Sequence, residues 1–377
     1  MEQIYWDNAA TTEVTDEVLD AMLPYLKEQY GNPSSKHTLG MSAKLALNGF
    51  RKTVASSLGC EASEVYFTSG GSEANNMAIK GIAMSHLNGN KRDILISSIE
   101  HHSVLNQIPQ LKQLGFNVIT IPVNPAGVVD LDFIKESVTD NTLLVSVMTV
   151  NNETGAVQPI RDISEVCKQH NVILHSDAVQ ALGHAYLPIE CVDLMSFSGH
   201  KIHTPKGIGC LIVKDGVELS PLICGGAQEN GLRGGTENVA MIAGFAEAVN
   251  LYGKINENAV SSQLQACDLI KQRLSENHIE FIVNSGKTST VSNILNISIK
   301  DIDGETVQLI SSAKGLCIST HSACDSYAQE PSHVLQSMGV SKDYIQGSLR
   351  ISFSDTTSLD LESIKKGVDI LVSAITE

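Results

Sequence analysis

The chain of 377 residues lacks any apolar stretch approaching the length of a membrane-spanning helix. Its opening, Met1-Glu2-Gln3-Ile4-Tyr5-Trp6-Asp7, has no basic region followed by an apolar one, so no secretory signal is visible. These absences make the cytoplasm the expected compartment and leave no expected membrane partner. Long basic runs are missing too, and 26 basic against 42 acidic residues give a formal net charge of −16. Such a surface repels nucleic acid and anionic lipid, which argues against direct nucleic-acid binding and is compatible with a basic protein partner. None of the eight cysteines (Cys60, Cys167, Cys191, Cys210, Cys224, Cys267, Cys317 and Cys324) forms a Cys-x-x-Cys pair. A reducing compartment keeps such residues as thiols, and most read as small core hydrophobes, Cys210 and Cys317 lying inside apolar runs. Repeats, low-complexity tracts and proline-rich linkers are absent. What is present is an ordinary globular composition, 42% hydrophobic and 18% charged, at a length that suits one large unit and one smaller one.

From about residue 64 to 215, short apolar runs alternate with helical patterns, which predicts a mostly parallel sheet covered by helices. The expected strands are 64–68, 93–97, 118–122, 143–150, 172–175, 194–196 and 209–213. The expected helices include 73–86, 104–114, 131–137 and 160–170. A second unit is expected after about residue 255. It has helices near 263–276, 304–313 and 359–375, and strands near 279–283, 293–299, 318–320 and 349–353.

The chemistry lies in the short segments at the ends of the first unit's strands. Thr68-Ser69-Gly70-Gly71-Ser72-Glu73, Glu100-His101-His102, Asn151-Asn152-Glu153, Asp177-Ala178-Val179-Gln180 and Ser198-Gly199-His200-Lys201 each stand at an expected strand end. Open α/β sheets bind ligands beyond the carboxyl ends of their strands, so five such ends suggest one composite site. The Gly70-Gly71-Ser72 turn can seat an anion on free helix amides, or Ser72 can simply cap the helix. Asp177 can pair with a pyridinium nitrogen, or it too can be a cap. Lys201, bounded by apolar segments, can form a Schiff base in a partly dry pocket, where most lysines are solvated. The His pairs raise a metal site, but no carboxylate or cysteine spacing supports zinc. Arg350 suits a substrate carboxylate or a surface ion pair. Cys324, in His321-Ser322-Ala323-Cys324-Asp325-Ser326, sits in a small-polar loop suited to an accessible thiol, catalytic or incidental.

Taken together these motifs resemble the cysteine desulfurases, the NifS/IscS-like branch of the class V aminotransferases. The resemblance runs from Tyr5-Trp6-Asp7-Asn8-Ala9-Ala10-Thr11-Thr12 and Tyr30-Gly31-Asn32-Pro33-Ser34-Ser35 to Arg233-Gly234-Gly235-Thr236-Glu237-Asn238 and Ser322-Ala323-Cys324. It implies a fold-type I α/β enzyme that uses pyridoxal 5'-phosphate. A large domain of residues 14–254 would carry a seven-stranded, mostly parallel sheet. A smaller α+β domain of residues 1–13 and 255–377 would carry a mobile catalytic loop. On the family pattern, Lys201 looks like the Schiff-base lysine and Asp177 the partner of the pyridine nitrogen. Gln180 would bond the ring phenolate, and His101 would stack on the ring and assist proton transfer. Gly71, Ser72, Ser198 and His200 would hold the phosphate, with Thr236 reaching the neighbouring site of a homodimer. Asn32, Asn152 and Arg350 would grip the substrate, and Cys324 would take the sulfur of L-cysteine as a persulfide for a protein acceptor. No metal is implied.

Two departures stand out. Relatives commonly have glycine where His321 stands and threonine where Asp325 stands, and a carboxylate beside the thiol tends to raise its pKa. His203-Thr204 replaces a frequent Tyr-Gly. The sequence stops at Glu377 without the extension by which housekeeping relatives engage an iron–sulfur scaffold. A specialised acceptor, for thiolation of tRNA or a cofactor or for DNA phosphorothioation, is therefore expected, with iron–sulfur assembly kept as an alternative. The rival readings are a selenocysteine lyase or related β-lyase, a class V aminotransferase, and a non-catalytic sulfur-pathway scaffold.

Overall fold

The computed structural model describes residues 3–286, 289–320, 331–356 and 359–377. In chain order its strands are β1 (Ile4–Tyr5), β2 (Val65–Thr68), β3 (Asp93–Ser97), β4 (Asn117–Ile121), β5 (Thr142–Ser146), β6 (Ile173–Asp177), β7 (Leu194–Ser198), β8 (Gly209–Val213), β9 (Phe281–Val283), β10 (Ile294–Ile299), β11 (Leu316–Cys317) and β12 (Ser348–Ser352). β2 to β8 form one sheet in the order β2-β8-β7-β6-β5-β3-β4. Only β8 in that sheet is antiparallel to its neighbours, so the fold is the mostly parallel α/β class that the alternating pattern predicts.

Strict alternation of side chains explains why the strands read as unbroken apolar runs. Leu95, Val145, Leu174, Met195 and Ile212 point to one face. There they meet the helices Asp16–Lys27, Thr38–Leu58, Ile160–Gln169 and Val239–Tyr252 through Val18, Leu47, Ile163 and Phe245. Ile94, Ile96, Leu144, Leu194 and Leu211 point to the other face and meet helix Gly71–Ser85 through Met77, Ile79 and Ile82. Each such fully buried side chain contributes about 1.5–3 kcal/mol of transfer free energy. β12, β10 and β9 make a separate antiparallel sheet. Helices Glu257–Glu276, Gly304–Ala313 and Leu361–Thr376 cover it, with Leu295, Ile297 and Ile351 in its core. Trp6 belongs to this second core, edge-on to Phe353 at 5.3 Å. Its ring lies against Gly367, where a Cβ would collide with it.

A fully buried imidazole ties the large sheet together sideways. His175 on β6 reaches Ser146 Oγ on β5 (2.9 Å) and Ser196 Oγ on β7 (3.0 Å). Burial lowers its pKa from 6.5 to about 3, so the folded protein holds it neutral. The stability this confers is complete above pH 6.5 and is lost as pH falls from there towards 3, at about 1.4 kcal/mol per pH unit. Between pH 6.5 and 4.5, the unfolding free energy of His175→Gln should therefore fall less steeply than that of the unaltered protein, by about one proton. Equal slopes in denaturant titrations would rule out the neutral buried ring.

Local chemistry moved several boundaries. The helix expected at 104–114 is two short ones, His102–Leu105 and Ile108–Gln113, because Pro109 has no N–H to donate to the carbonyl of Leu105. The strand expected at 143–150 is regular only to Ser146, although the Val147 and Thr149 amides still donate to the carbonyls of His175 and Asp177. The strand expected at 318–320 is displaced: β11 forms earlier, beside β1, and Ser319 only bridges to Arg350. Cys317 is half-buried rather than a core residue, with its Sγ accepting from Gln3 Nε2, while Cys167, Cys210 and Cys267 are buried.

Candidate active site

β2, β3, β5, β6 and β7 all run the same way, so the segments that follow them meet at one edge of the sheet. A cavity of about 320 Å³ opens there, within the range for small-molecule sites. His101, Asn152, Asp177, Gln180, Ser198, His200, Lys201, Gly71, Ser72 and Arg350 all line it. Two expected residues lie elsewhere in the single chain. Thr236 is exposed in an adjoining cleft that shares Ser69 and Gly207 with the cavity, and Asn32 is exposed with its Oδ1 accepting from the Ser34 amide. Cys324 lies outside the described residues, as do His321 and Asp325.

One end of the cavity has the makings of an anion seat. Helix Gly71–Ser85 begins after Gly70 with no side chain bonded to its first amides, and Ser72 is in the first turn rather than at the cap. Free amides at the positive end of a helix dipole attract an anion, and Ser198 Oγ lies within 4 Å of where a Gly71 side chain would begin. Such a side chain would come within 2.7 Å of Val179 Cγ2. His200 beside it is kept neutral: burial first, then the charges of Lys201, Lys206 and His101, lower its pKa to about 4.

At the floor, Asp177 presents a carboxylate that is 4% exposed. Its Oδ2 accepts from Asn75 Nδ2 (2.7 Å) and its Oδ1 from the Val179 amide (2.9 Å). Asn75 also donates to Ser103 Oγ (2.8 Å), which in turn stands 2.7 Å from His101 Nδ1. The Ser103 amide donates to that same Nδ1, so this network assigns the proton of a neutral His101 to Nε2. Asn75 and Ser103 thus hold the acid and the ring in fixed relation. They were missed in the sequence because a polar residue inside a helix carries no mark of what it faces. Behind them Glu100 is fully buried, and burial, with the nearby Asp177 charge adding to it, raises its pKa well above the usual carboxylate range.

The opposite wall comes from the first residues of the chain. Lys201 Nζ donates to the carbonyls of Ala9 (2.6 Å) and Ala10 (2.8 Å), and Gln180 Nε2 donates to Ala9 (2.9 Å). Arg350, only 1% exposed, donates from Nη2 to Asp7 Oδ1 (3.0 Å) and from Nη1 to the Asn152 carbonyl (3.2 Å). It is a buried ion pair rather than a surface one. Its Nε has no partner among the described residues. Lysine, acid, imidazole and guanidinium around an anion seat suit a planar, phosphorylated, nitrogen-containing ring and an amino acid beside it. Among the described residues no group of three or more His, Cys, Asp or Glu could hold a metal ion.

Comparison with known proteins agrees with this geometry. The family described as Aminotransferase class-V matches residues 4–363. The chain is 42% identical to "Cysteine desulfurase IscS" of Methanosarcina thermophila, over 99% of its own length and 92% of that protein's. A solved "NIFS-LIKE PROTEIN" superposes with a TM-score of 0.89 at 34% identity, covering 99% of both chains. "SspA in complex with cysteine" superposes at 0.81 and 35% identity, covering 93% of this chain and 99% of that one. The chain belongs to the class V aminotransferase family and, within it, to the cysteine desulfurases, fold-type I enzymes that depend on pyridoxal phosphate.

Proposed function

We propose that the protein converts L-cysteine to L-alanine and leaves the sulfur as a persulfide on Cys324. The observation that carries this is the meeting of Lys201, Asp177, His101, Asn152 and Arg350 around one cavity with an uncapped helix start. The residues present fit pyridoxal phosphate. The first turn of helix Gly71–Ser85, Ser72, Ser198 and His200 take the phosphate, Asp177 the pyridine nitrogen, Gln180 the phenolate and Lys201 the aldehyde. When bound, the cofactor supplies an electrophilic carbon and a protonated ring that accepts the electron pair left at the substrate Cα.

The protein's own groups do the rest. Arg350, with Asn152 beside it, fixes the substrate carboxylate and so sets the Cα–H bond against Lys201. The Lys201 amine, when free, would take the Cα proton. Cys324 attacks the substrate sulfur as a thiolate; the new S–S bond forms as the C–S bond breaks, and the carbon, reprotonated, leaves as alanine. The persulfide then passes to a protein acceptor. SspA, 35% identical, is described in complex with cysteine, which supports cysteine as the substrate.

The wider arrangement agrees with the same reading. Residues 14–254 form the cofactor-binding domain, and 1–13 with 255–377 the smaller one. Leu39, Met41 and Leu45 are exposed on helix Thr38–Leu58 and Tyr30 just before it, which supports a homodimer in which Thr236 completes the partner site. Among the described residues no helix is long and apolar enough to cross a membrane, and the compartment inferred is the cytoplasm.

The test is purified, cofactor-loaded protein with L-cysteine and a thiol reductant. Alanine and sulfide should appear in equal amounts; neither product from a loaded enzyme would overturn the reading. The phosphate seat is checked separately by Gly71→Ala. Crowding of Val179 should weaken cofactor affinity about tenfold, read by absorbance titration, with the far-ultraviolet dichroism unchanged.

A further inference from the structure

The mechanism leaves unused a fully buried carboxylate, Glu153, directly after Asn152. Its Oε2 accepts a 2.6 Å hydrogen bond from Ser332 Oγ, and its Oε1 has no partner among the described residues. Ser332 stands eight residues after Cys324 in the sequence. The same Ser332 oxygen accepts from the Leu335 amide, so it caps the short helix His333–Ser337 while donating to Glu153.

That helix is fastened to the large sheet, not to the small one. Val334, Leu335 and Met338 share a core with Ile99 and Met148, which lie just past β3 and β5. His333 Nε2 lies 3.0 Å from the Glu100 carbonyl, and its ring meets that of His102 edge-on at 4.8 Å. Glu100 and His102 flank His101, and Glu153 adjoins Asn152, so this foot is built on the segments that carry two site residues. The other foot is different. The Ser319 amide and carbonyl pair with Arg350 on β12, and Ser348 Oγ donates to the Thr320 carbonyl. The described residues before position 321 are therefore tied to the small sheet, and those from Ser332 onward to the segments behind the cofactor cavity.

We propose that the Ser332–Glu153 hydrogen bond is a positioning contact that sets where Cys324 is presented, and that it governs the sulfur-transfer step without touching cofactor or substrate. The inference rests on the reading of Cys324 as sulfur acceptor. A hydroxyl bonded to a buried carboxylate is a short, charge-assisted contact, and nothing else in the described surroundings takes that proton. Loss of the hydroxyl leaves the carboxylate unpaired and the helix uncapped, and a displacement of about 1 Å at a reacting atom is enough to slow transfer by up to about a hundredfold.

The experiment is a single turnover of the loaded enzyme with L-cysteine, followed by two readouts. Absorbance reports the response of the bound cofactor, and the mass of alkylated protein reports the persulfide on Cys324. In Ser332→Ala the absorbance change should keep its rate within about twofold, whereas persulfide formation falls about ten- to a hundredfold. Amide hydrogens of residues 333–336 should exchange faster. Ser332→Thr, which keeps the hydroxyl, should restore transfer, and Glu153→Gln, which keeps an acceptor but not the charge, should give a smaller loss in the same step. Persulfide formed by Ser332→Ala at the unaltered rate would overturn the proposal. So would an equal fall in both readouts, the mark of a merely structural serine. Absence of persulfide in the unaltered enzyme would instead remove the reading on which the inference rests.

Discussion

Replacing Lys201 with alanine is expected to lower alanine and sulfide release from L-cysteine by about four orders of magnitude or more. On the proposed mechanism one nitrogen would have two duties, anchoring the cofactor aldehyde and removing the Cα proton, and they would fail together. The loss should not be one of binding. The uncapped start of helix Gly71–Ser85 and the Asp177 carboxylate, held by Asn75 and Val179, are untouched by the substitution. The variant should therefore retain pyridoxal phosphate non-covalently, with its absorbance shifted to that of the free aldehyde. Added methylamine offers a further check, since a small amine in the vacated space can restore part of the proton transfer. Desulfuration above about a hundredth of the unaltered rate would remove Lys201 as the base.

Cys324→Ala should separate the two halves of the reaction. The variant is expected to bind cofactor and to change colour on addition of L-cysteine, yet to release sulfide at least about a thousandfold more slowly. No second thiol takes over in the described part of the site, because none of Cys60, Cys167, Cys191, Cys210, Cys224, Cys267 or Cys317 lines the cavity. Burial pushes the thiols of Cys60, Cys167 and Cys267 up to about 11, 12 and 12, leaving them protonated and unreactive at neutral pH. Sulfide released at an undiminished rate would point to direct elimination from the substrate and against a persulfide.

Much of the fold was legible because the strands of the large sheet, apart from the edge strand β4, are buried on both faces and so appear as short unbroken apolar runs. The runs at 93–97 and 209–213 match β3 and β8 to the residue. Helices were legible where one face is wet. Leu131–Ser137 and Gly304–Ala313 formed as read, whereas Val239–Tyr252, buried around most of its circumference, has no polar stripe to betray its period. Thr38–Leu58 is blurred in the opposite way, by Leu39, Met41 and Leu45 on its outer side. In the site, the residues at strand ends were readable because topology alone brings them together. Asn75, Ser103 and the Ala9 and Ala10 carbonyls were not, since their meaning lies in partners up to 192 positions away, and a backbone carbonyl has no letter in a sequence.

The same N-terminal strand has a consequence for the order in which the molecule can be made. β1 precedes the other described strands, yet it pairs with β11, near residue 316, and the Asn8 and Ala9 amides are held by Ser352. Until those late residues leave the ribosome, the carbonyls that receive Lys201 and Gln180 lack the Ser352 contacts and are held through Ala9 in the large core and Thr12 against His200 and His203. The large sheet, complete by residue 213, can collapse during synthesis, but Arg350 and the Ser352 anchor of the cavity wall join it only when β12 is made. A nascent protein stalled before β12 would carry most of the active-site residues and still lack Arg350 and the Ser352 anchor of the opposite wall.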